Sequence, residues 1–252
     1  MRLNAAPLRE LPPVTRWLLG LSFAGWLAEL VLGFRLNFHL GLVPYMFAHQ
    51  GWLWQCVTYQ FIHANFLHFL LNALMIWMLG RMLEAEMGPR KFLLYFLGCG
   101  AAAALLTAAW NHGSMTPVIG ASGAVYGLLG AFAFLYPDTQ VYFYFLFPMS
   151  ARTMAILLGV VEFASTMSGG IGRVSNITHL GGLAAGLAWL WAERRWRLRP
   201  VRAESPRPDP AVLEREEIDR LLEKISVKGQ AALSRAELAR LDEYAKRKGG
   251  RA

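Results

Sequence analysis

Charge is scarce in this 252-residue chain: Asp, Glu, Lys and Arg make up 17% of it against 55% hydrophobic residues, and mean hydropathy is positive. Soluble globular chains carry about a quarter charged residues, and here the charges also collect towards the two ends, which excludes an ordinary soluble domain and points to a membrane. Cysteine is scarcer still. Two residues, Cys56 and Cys99, cannot make a disulfide framework, and Cys99, inside an apolar run, reads as a small core residue. A cleavable signal peptide is missing too, because the first apolar stretch is long enough to span and lacks a convincing cleavage site; it reads as a retained first helix. Acidic residues are outnumbered, giving a net charge of +8. The basic residues flank apolar segments instead of forming a stripe interleaved with aromatics, so the partner is the lipid bilayer and not nucleic acid.

Windows of roughly 20 mainly apolar residues, the length that spans a bilayer, begin near Arg16, His63, Arg90, Ile119, Arg152 and Thr178. They predict an all-α, polytopic membrane protein with six spans. The first window carries Glu29 and the fifth Glu162; a carboxyl facing lipid costs a few kcal/mol, so both are expected near the interface or facing protein. Between the first two spans, Arg35 to Ile62 is rich in aromatics (Trp52, Trp54, Tyr59, Phe61), which suits a folded loop at the headgroup layer. Lys and Arg collect on cytoplasmic flanks. Arg2, Arg9 and Arg16, then Arg81, Arg90 and Lys91, then Arg152, then Arg194, Arg195, Arg197, Arg199 and Arg202 all fall on one side, with only Arg35 and Arg173 on the other. Both termini are expected in the cytoplasm.

Three regions follow: residues 1–198 as the membrane domain, 199–211 as a stiff linker with Pro206, Pro208 and Pro210, and 212–252 as a small cytoplasmic helical hairpin. In the hairpin, Ile218, Leu221, Leu222 and Ile225 line one stripe and Leu238, Leu241 and Tyr244 another. Ser234 and Glu237 have capping-box spacing, and Gly229 marks the break between the helices. So short a hairpin holds little core alone.

With the amino terminus inside, His68 lies about one turn into the second span, Ser122 in the first turn of the fourth and His179 at the start of the sixth, all near the outer face. Gly120, Gly123, Gly127 and Gly130 share one helical face, and Gly182 and Gly186 share a face with His179. Two glycine faces let backbones approach closely, bringing the imidazole towards the hydroxyl, which is the minimum for acyl chemistry. Spacing alone is equally consistent with small-residue packing around a hydrogen-bonded Ser and His. His68 and Asn72, four residues apart, share a face and are placed to donate to an oxyanion beside the Ser122 N–H, or else to serve as a core histidine and an interhelical hydrogen bond. His63 and His68, roughly 140° apart on a helix, are too far apart for adjacent metal ligands, so no metal is expected.

These residues resemble the rhomboid family of intramembrane serine proteases. Gly120-Ala121-Ser122-Gly123 is similar to its GxSG motif, and Tyr126 stands where the family has a tyrosine stacked beneath the histidine. His63, His68 and Asn72 match H-x4-H-x3-N, and His179, Gly182 and Gly186 match HxxGxxxG. The resemblance covers about Arg16 to Trp196. It implies an enzyme of a bacterial plasma membrane that cuts transmembrane protein substrates near the outer face, with Ser122 as nucleophile, His179 as base then acid, and His68, Asn72 and the Ser122 amide as oxyanion hole. It implies neither a catalytic carboxylate nor a cofactor. Trp54 sits where the family's first loop has a Trp-Arg pair, but Gln55 follows it, so the arginine's contacts need another source. Glu84 and Gly88 resemble the inner end of the family's second helix, where a carboxylate anchors neighbours. The alternatives are an inactive rhomboid-like protein that binds transmembrane clients, against which stand the intact Ser and His and the absence of Pro before Ser122, and a channel, against which stands the gathering of polar residues at one depth.

Overall fold

The computed structural model describes residues 11–143, 147–168, 173–197 and 210–249, and the chain divides into two compact units between Arg197 and Leu198. Arg2, Arg9, Arg199, Arg202, Pro206 and Pro208, used above for topology and linker, lie outside the described residues.

The first unit opens with α1 (Pro13–Leu32), whose N-terminal donors are met from a distant helix: the Glu84 carboxylate accepts from Val14 N–H at 2.9 Å, Thr15 N–H at 2.7 Å and the Thr15 hydroxyl at 2.8 Å. Such a borrowed cap satisfies groups that no intrahelical bond reaches. Glu29, half-buried near the C-terminal end of α1, accepts from Asn37 at 3.4 Å. The aromatic segment folds as α2 (Phe34–Leu40), α3 (Pro44–Gln50), α4 (Gln55–Thr58) and a 3-10 turn, Tyr59–Phe61. Trp52 stacks between His39 and Trp54, and the Trp54 indole donates to the His39 carbonyl at 2.9 Å.

Helix α5 (Phe66–Met87) starts at Asn65, whose side chain accepts from His68 N–H, and stops at Gly88, where φ is +79° and Pro89 opens α6 (Pro89–Trp110) directly. Helix α7 (Ser122–Leu135) is buried along nearly its whole length, with α5, α6, α8 (Ala151–Met167) and α9 (Arg173–Arg197) around it. Phe92, Tyr95, Phe96, Leu128 and Leu129 form the centre of the core, while Leu30, Val31, Leu94, Val160 and Phe163 face outward. A buried interior wrapped in exposed large apolar side chains is what a lipid solvent requires.

Among the described residues three helices, α1, α5 and α6, are long and apolar enough to cross a membrane by length and composition. The other three windows yield a 14-residue helix, a 17-residue helix, and a 25-residue helix whose last turns carry Glu193, Arg194 and Arg195. The all-α expectation is corrected by a small antiparallel hairpin between α7 and α8, β1 (Gln140–Phe143) with β2 (Phe147–Ser150), register Gln140 to Ser150. Its Val-, Tyr- and Phe-containing strands suit a short half-exposed ribbon.

In the second unit, α10 (Pro210–Lys228) and α11 (Arg235–Gly249) are joined through Gly229 at φ +77°. The helix claims Pro210 and Ala211 from the expected linker, because proline is tolerated at a first helical position. Ser234 N–H donates to Glu237 at 2.7 Å and Glu237 N–H to the Ser234 hydroxyl at 3.3 Å, a reciprocal capping box. Ile218, Leu221 and Leu233 are buried, but Leu222, expected on the apolar stripe, is 51% exposed. Adjacent Leu221 takes the inward position, and two consecutive helical residues cannot share it.

Candidate active site

Where α7 begins is set by Gly120. Its φ of +118° is a left-handed conformation, and a Cβ there would lie 2.6 Å from the His68 Nε2, so only glycine satisfies both backbone and neighbour. The approach to Gly120 is pinned by the aromatic segment between α1 and α5: Leu42 and Val118 exchange backbone hydrogen bonds at 2.8 Å, and Gly120 N–H donates to the Tyr59 carbonyl at 2.9 Å. Tyr59, fully buried, in turn donates to the Gly100 carbonyl on α6 at 2.8 Å. Gln55 secures the same loop from inside. Its Oε1 accepts from Val43 N–H at 3.0 Å and its Nε2 donates to the Phe38 carbonyl at 3.0 Å, so a neutral amide ties α4 to α2 and the start of α3 where the family pattern has arginine.

Ser122 is the first residue of α7, and its N–H is among those that a helix start leaves without an intrahelical acceptor. Across from it, α9 packs so closely that a Cβ on Gly182 would collide with the Gly123 carbonyl, and one on Gly186 would lie 2.9 Å from the Gly127 carbonyl. His179 sits two turns into α9 and not at its first residue, since that helix begins at Arg173. Next to it, Thr178 exchanges a 2.7 Å hydroxyl hydrogen bond with Thr107 of α6, which fixes the rotation of α9. Glycine contact and threonine bond together aim the imidazole, and its Nε2 lies 2.8 Å from the Ser122 Oγ.

The Tyr126 ring stacks on the imidazole, 4.4 Å between centroids and 7° from parallel. The other ring nitrogen, Nδ1, lies 2.8 Å from Oε1 of Glu162 on α8, and the Tyr126 hydroxyl donates to that same oxygen at 2.6 Å. Glu162 thus faces protein, as expected for a carboxyl in an apolar window, but its place beside His179 is not legible from residue order. Its two neighbours come from two other windows, and only the uncompensated charge itself signals that a partner must exist.

A cavity of about 310 Å³ is lined by Ser122, Tyr126 and His179 together with His68, Asn72, Tyr59 and Ser175, with Glu162 behind the wall. The Asn72 carboxamide is buried and uses one N–H on the His68 carbonyl at 2.9 Å, leaving the second for the cavity. His63 does not belong to α5: it precedes Asn65, so the helical angle used to separate it from His68 does not apply, and the two rings meet edge to face at 5.2 Å. Among the described residues no three His, Cys, Asp or Glu side chains converge as metal ligands. The arrangement can take a proton from a serine hydroxyl and place donors beside it.

A family model described as the rhomboid domain matches residues 50–196, and one described as a family of unknown function matches residues 212–247. The chain is 31% identical over 143 residues to RHOMBOID-like protein 1 of Arabidopsis thaliana, covering 56% of this chain and 34% of that protein. It is 30% identical over 137 residues to Rhomboid protease GluP of Bacillus subtilis, covering 54% and 25%, and 28% identical over 145 residues to Rhomboid protease GlpG of Haemophilus influenzae, covering 58% and 72%. The chain therefore spans about a third of the length of the first and a quarter of the second.

Proposed function

The chain belongs to the rhomboid family, and from that premise we propose that this integral membrane protein is a serine endopeptidase that cleaves transmembrane protein substrates near the outer membrane face. The observation that carries the reading is the 2.8 Å contact between His179 Nε2 and Ser122 Oγ in a cavity that His68 and Asn72 also line. His179 takes the Ser122 proton as Oγ attacks the scissile carbonyl carbon, then gives it to the leaving amine when the C–N bond breaks; water entering the cavity hydrolyses the acyl-enzyme by the same exchange. The oxyanion is met by the Ser122 N–H, His68 and Asn72, donors worth about 3–4 kcal/mol each. Partial positive charge at the start of α7 acts in the same place.

Six helices, α1 and α5 to α9, span the bilayer in this reading. At 14 residues α7 extends about 21 Å, short of the roughly 30 Å core. It starts below the outer surface, roofed by the interfacial loop, which lets water reach Ser122. Pairing at the opposite end supports the topology: Lys91, opening α6, bonds Glu193 near the end of α9 at 2.6 Å, and Tyr136, just past α7, donates to Glu86 near the end of α5 at 3.0 Å. Arg81, Arg90 and Arg152 belong to the same end, which supports reading it as the cytoplasmic one, with both termini inside. A substrate helix enters between the first loop and α8, and local unwinding exposes its scissile bond.

The test is incubation of the purified protein with a model transmembrane substrate. Ser122→Ala and His179→Ala are expected to lose at least ~10³-fold in rate, and a fluorophosphonate probe to label wild type alone. Equal cleavage by wild type and Ser122→Ala overturns the reading.

A further inference from the structure

Among the described residues Glu162 is the one carboxylate that meets the His179 ring, and its cost in an apolar helix demands a use. A charged side chain within a span is tolerated when it faces protein and is paired. Its side chain is 13% exposed and that of His179 18%, and Tyr126 and His179, which meet its Oε1, belong to the cavity wall. The titratable groups facing the imidazole come from three helices: Ser122 and Tyr126 on α7, His68 on α5 and Glu162 on α8, while α6 offers the neutral Thr107 beside Thr178.

Proton placement then has two solutions. If Glu162 is ionised, Oε1 accepts from both the Tyr126 hydroxyl and an Nδ1–H, and Nε2 keeps a lone pair for the Ser122 hydroxyl. If Glu162 is protonated and donates to Nδ1, the ring carries its proton on Nε2, donates to Ser122 Oγ and cannot act as base. Two donors converging on one oxygen favour the ionised form, since hydrogen bonds to the charged state stabilise it. A base oriented by a third group is the arrangement in which a serine nucleophile works best.

We infer that Glu162 is a positioning residue for hydrolysis: it holds His179 in the Nδ1–H tautomer with Nε2 towards Ser122, and its charge stabilises the imidazolium formed when the Ser122 proton moves to Nε2. No proton passes to the carboxylate. The inference rests on the reading of Ser122 and His179 as nucleophile and base, and it adds a carboxylate where the family resemblance implies none. It also ties the base to α8, because Glu162 reaches His179 only while that helix stays against α7 and α9.

The full-length protein in lipid nanodiscs, labelled with ¹⁵N-histidine, tests it. In wild type the His179 ring is expected to show a protonated Nδ1 and an unprotonated Nε2; in Glu162→Leu the signals shift towards mixed tautomers. With a model transmembrane substrate, Glu162→Leu and Glu162→Gln should lower kcat by ~10²-fold with KM within about twofold, less than the ~10⁴-fold of a fully enclosed triad because this site is open to water. Glu162→Asp should recover about tenfold over Glu162→Leu if charge is what counts. Glu162→Gln, of the same shape, covers the case in which the leucine variant does not fold. A wild-type ring protonated on Nε2, a tautomer unmoved by Glu162→Gln, or a loss confined to KM overturns the inference. Wild type inert to both substrate and fluorophosphonate would instead remove the protease reading, and the ring signals would still decide whether Glu162 sets the tautomer.

Discussion

The carboxyl groups of Glu162 in the membrane unit and Glu237 in the tail each have hydrogen-bond partners on two residues, but they find those partners by different routes. Glu162 is met by groups 36 and 17 residues away on α7 and α9. Glu237 is met by Ser234 three residues before it and by Lys224 on the adjoining helix at 2.8 Å. Glu84 follows the first pattern, capping α1 from 70 and 69 residues away. In the membrane unit a polar group is satisfied by packing; in the tail it is satisfied mostly by local sequence and solvent. Breaking the packing should therefore disable the first unit more than any change of charge disables the second.

The largest effect is expected from Gly182→Ala. The new methyl meets the Gly123 carbonyl, a backbone atom that cannot rotate away, so α7 and α9 must separate. Overpacking costs about 1–3 kcal/mol, and a displacement of about 1 Å between reacting groups costs ~10²-fold in rate. Probe labelling of Ser122 should fall accordingly. Gly20→Ala, on an open face of α1 with nothing within 4 Å, is the control, gaining about 0.5–1 kcal/mol in helix propensity. Equal labelling by both variants would show that the glycine contact does not position the pair.

Second in size is Glu84→Ala. It strands the Val14 and Thr15 donors at the start of α1, and unsatisfied buried donors cost about 1–3 kcal/mol each, with local relaxation recovering part. A loss of about 2–3 kcal/mol is expected in thermal unfolding, with the turnover of the remaining folded protein unchanged. A shift in turnover at unaltered stability would place Glu84 in the chemistry instead of the scaffold.

The same contrast explains what could be read without coordinates. Membrane character, the helical hairpin of the tail, its capping box and the spacing of Ser122, His179 and their glycines are local or periodic, and residue order suffices to state them. The start of α9 at Arg173, the β1–β2 hairpin, the exposure of Leu222 and the separation of His63 from α5 depend on where helices end, which neighbours decide. Gln55 shows the limit most clearly. Its replacement of an arginine was visible, but the amide bridge to Val43 and Phe38 exists only once α2, α3 and α4 are folded together. Glu162 was visible as an anomaly of charge and not as a neighbour of His179.

The smallest effect sharpens the comparison from the tail. The hydrogen bond from Lys224, with those from Ser234, lowers the Glu237 carboxyl from 4.5 to about 2. A carboxyl depressed on folding contributes stability that is complete above its unfolded value and is lost as the pH falls through its folded value. The contribution is thus expected whole above about pH 4.5 and gone below about pH 2. Because this carboxylate is open to solvent and its ion pair is screened by salt, the change should be small and confined to α10 and α11. Amide exchange on the full-length protein measures it: protection in α11 should decline between those pH values, and decline less in Glu237→Gln, which has no charge to lose. Protection that falls equally in both proteins would mean that the tail is held by Ile218, Leu221 and Leu233 and not by its cap, leaving the two units alike in relying on buried contact.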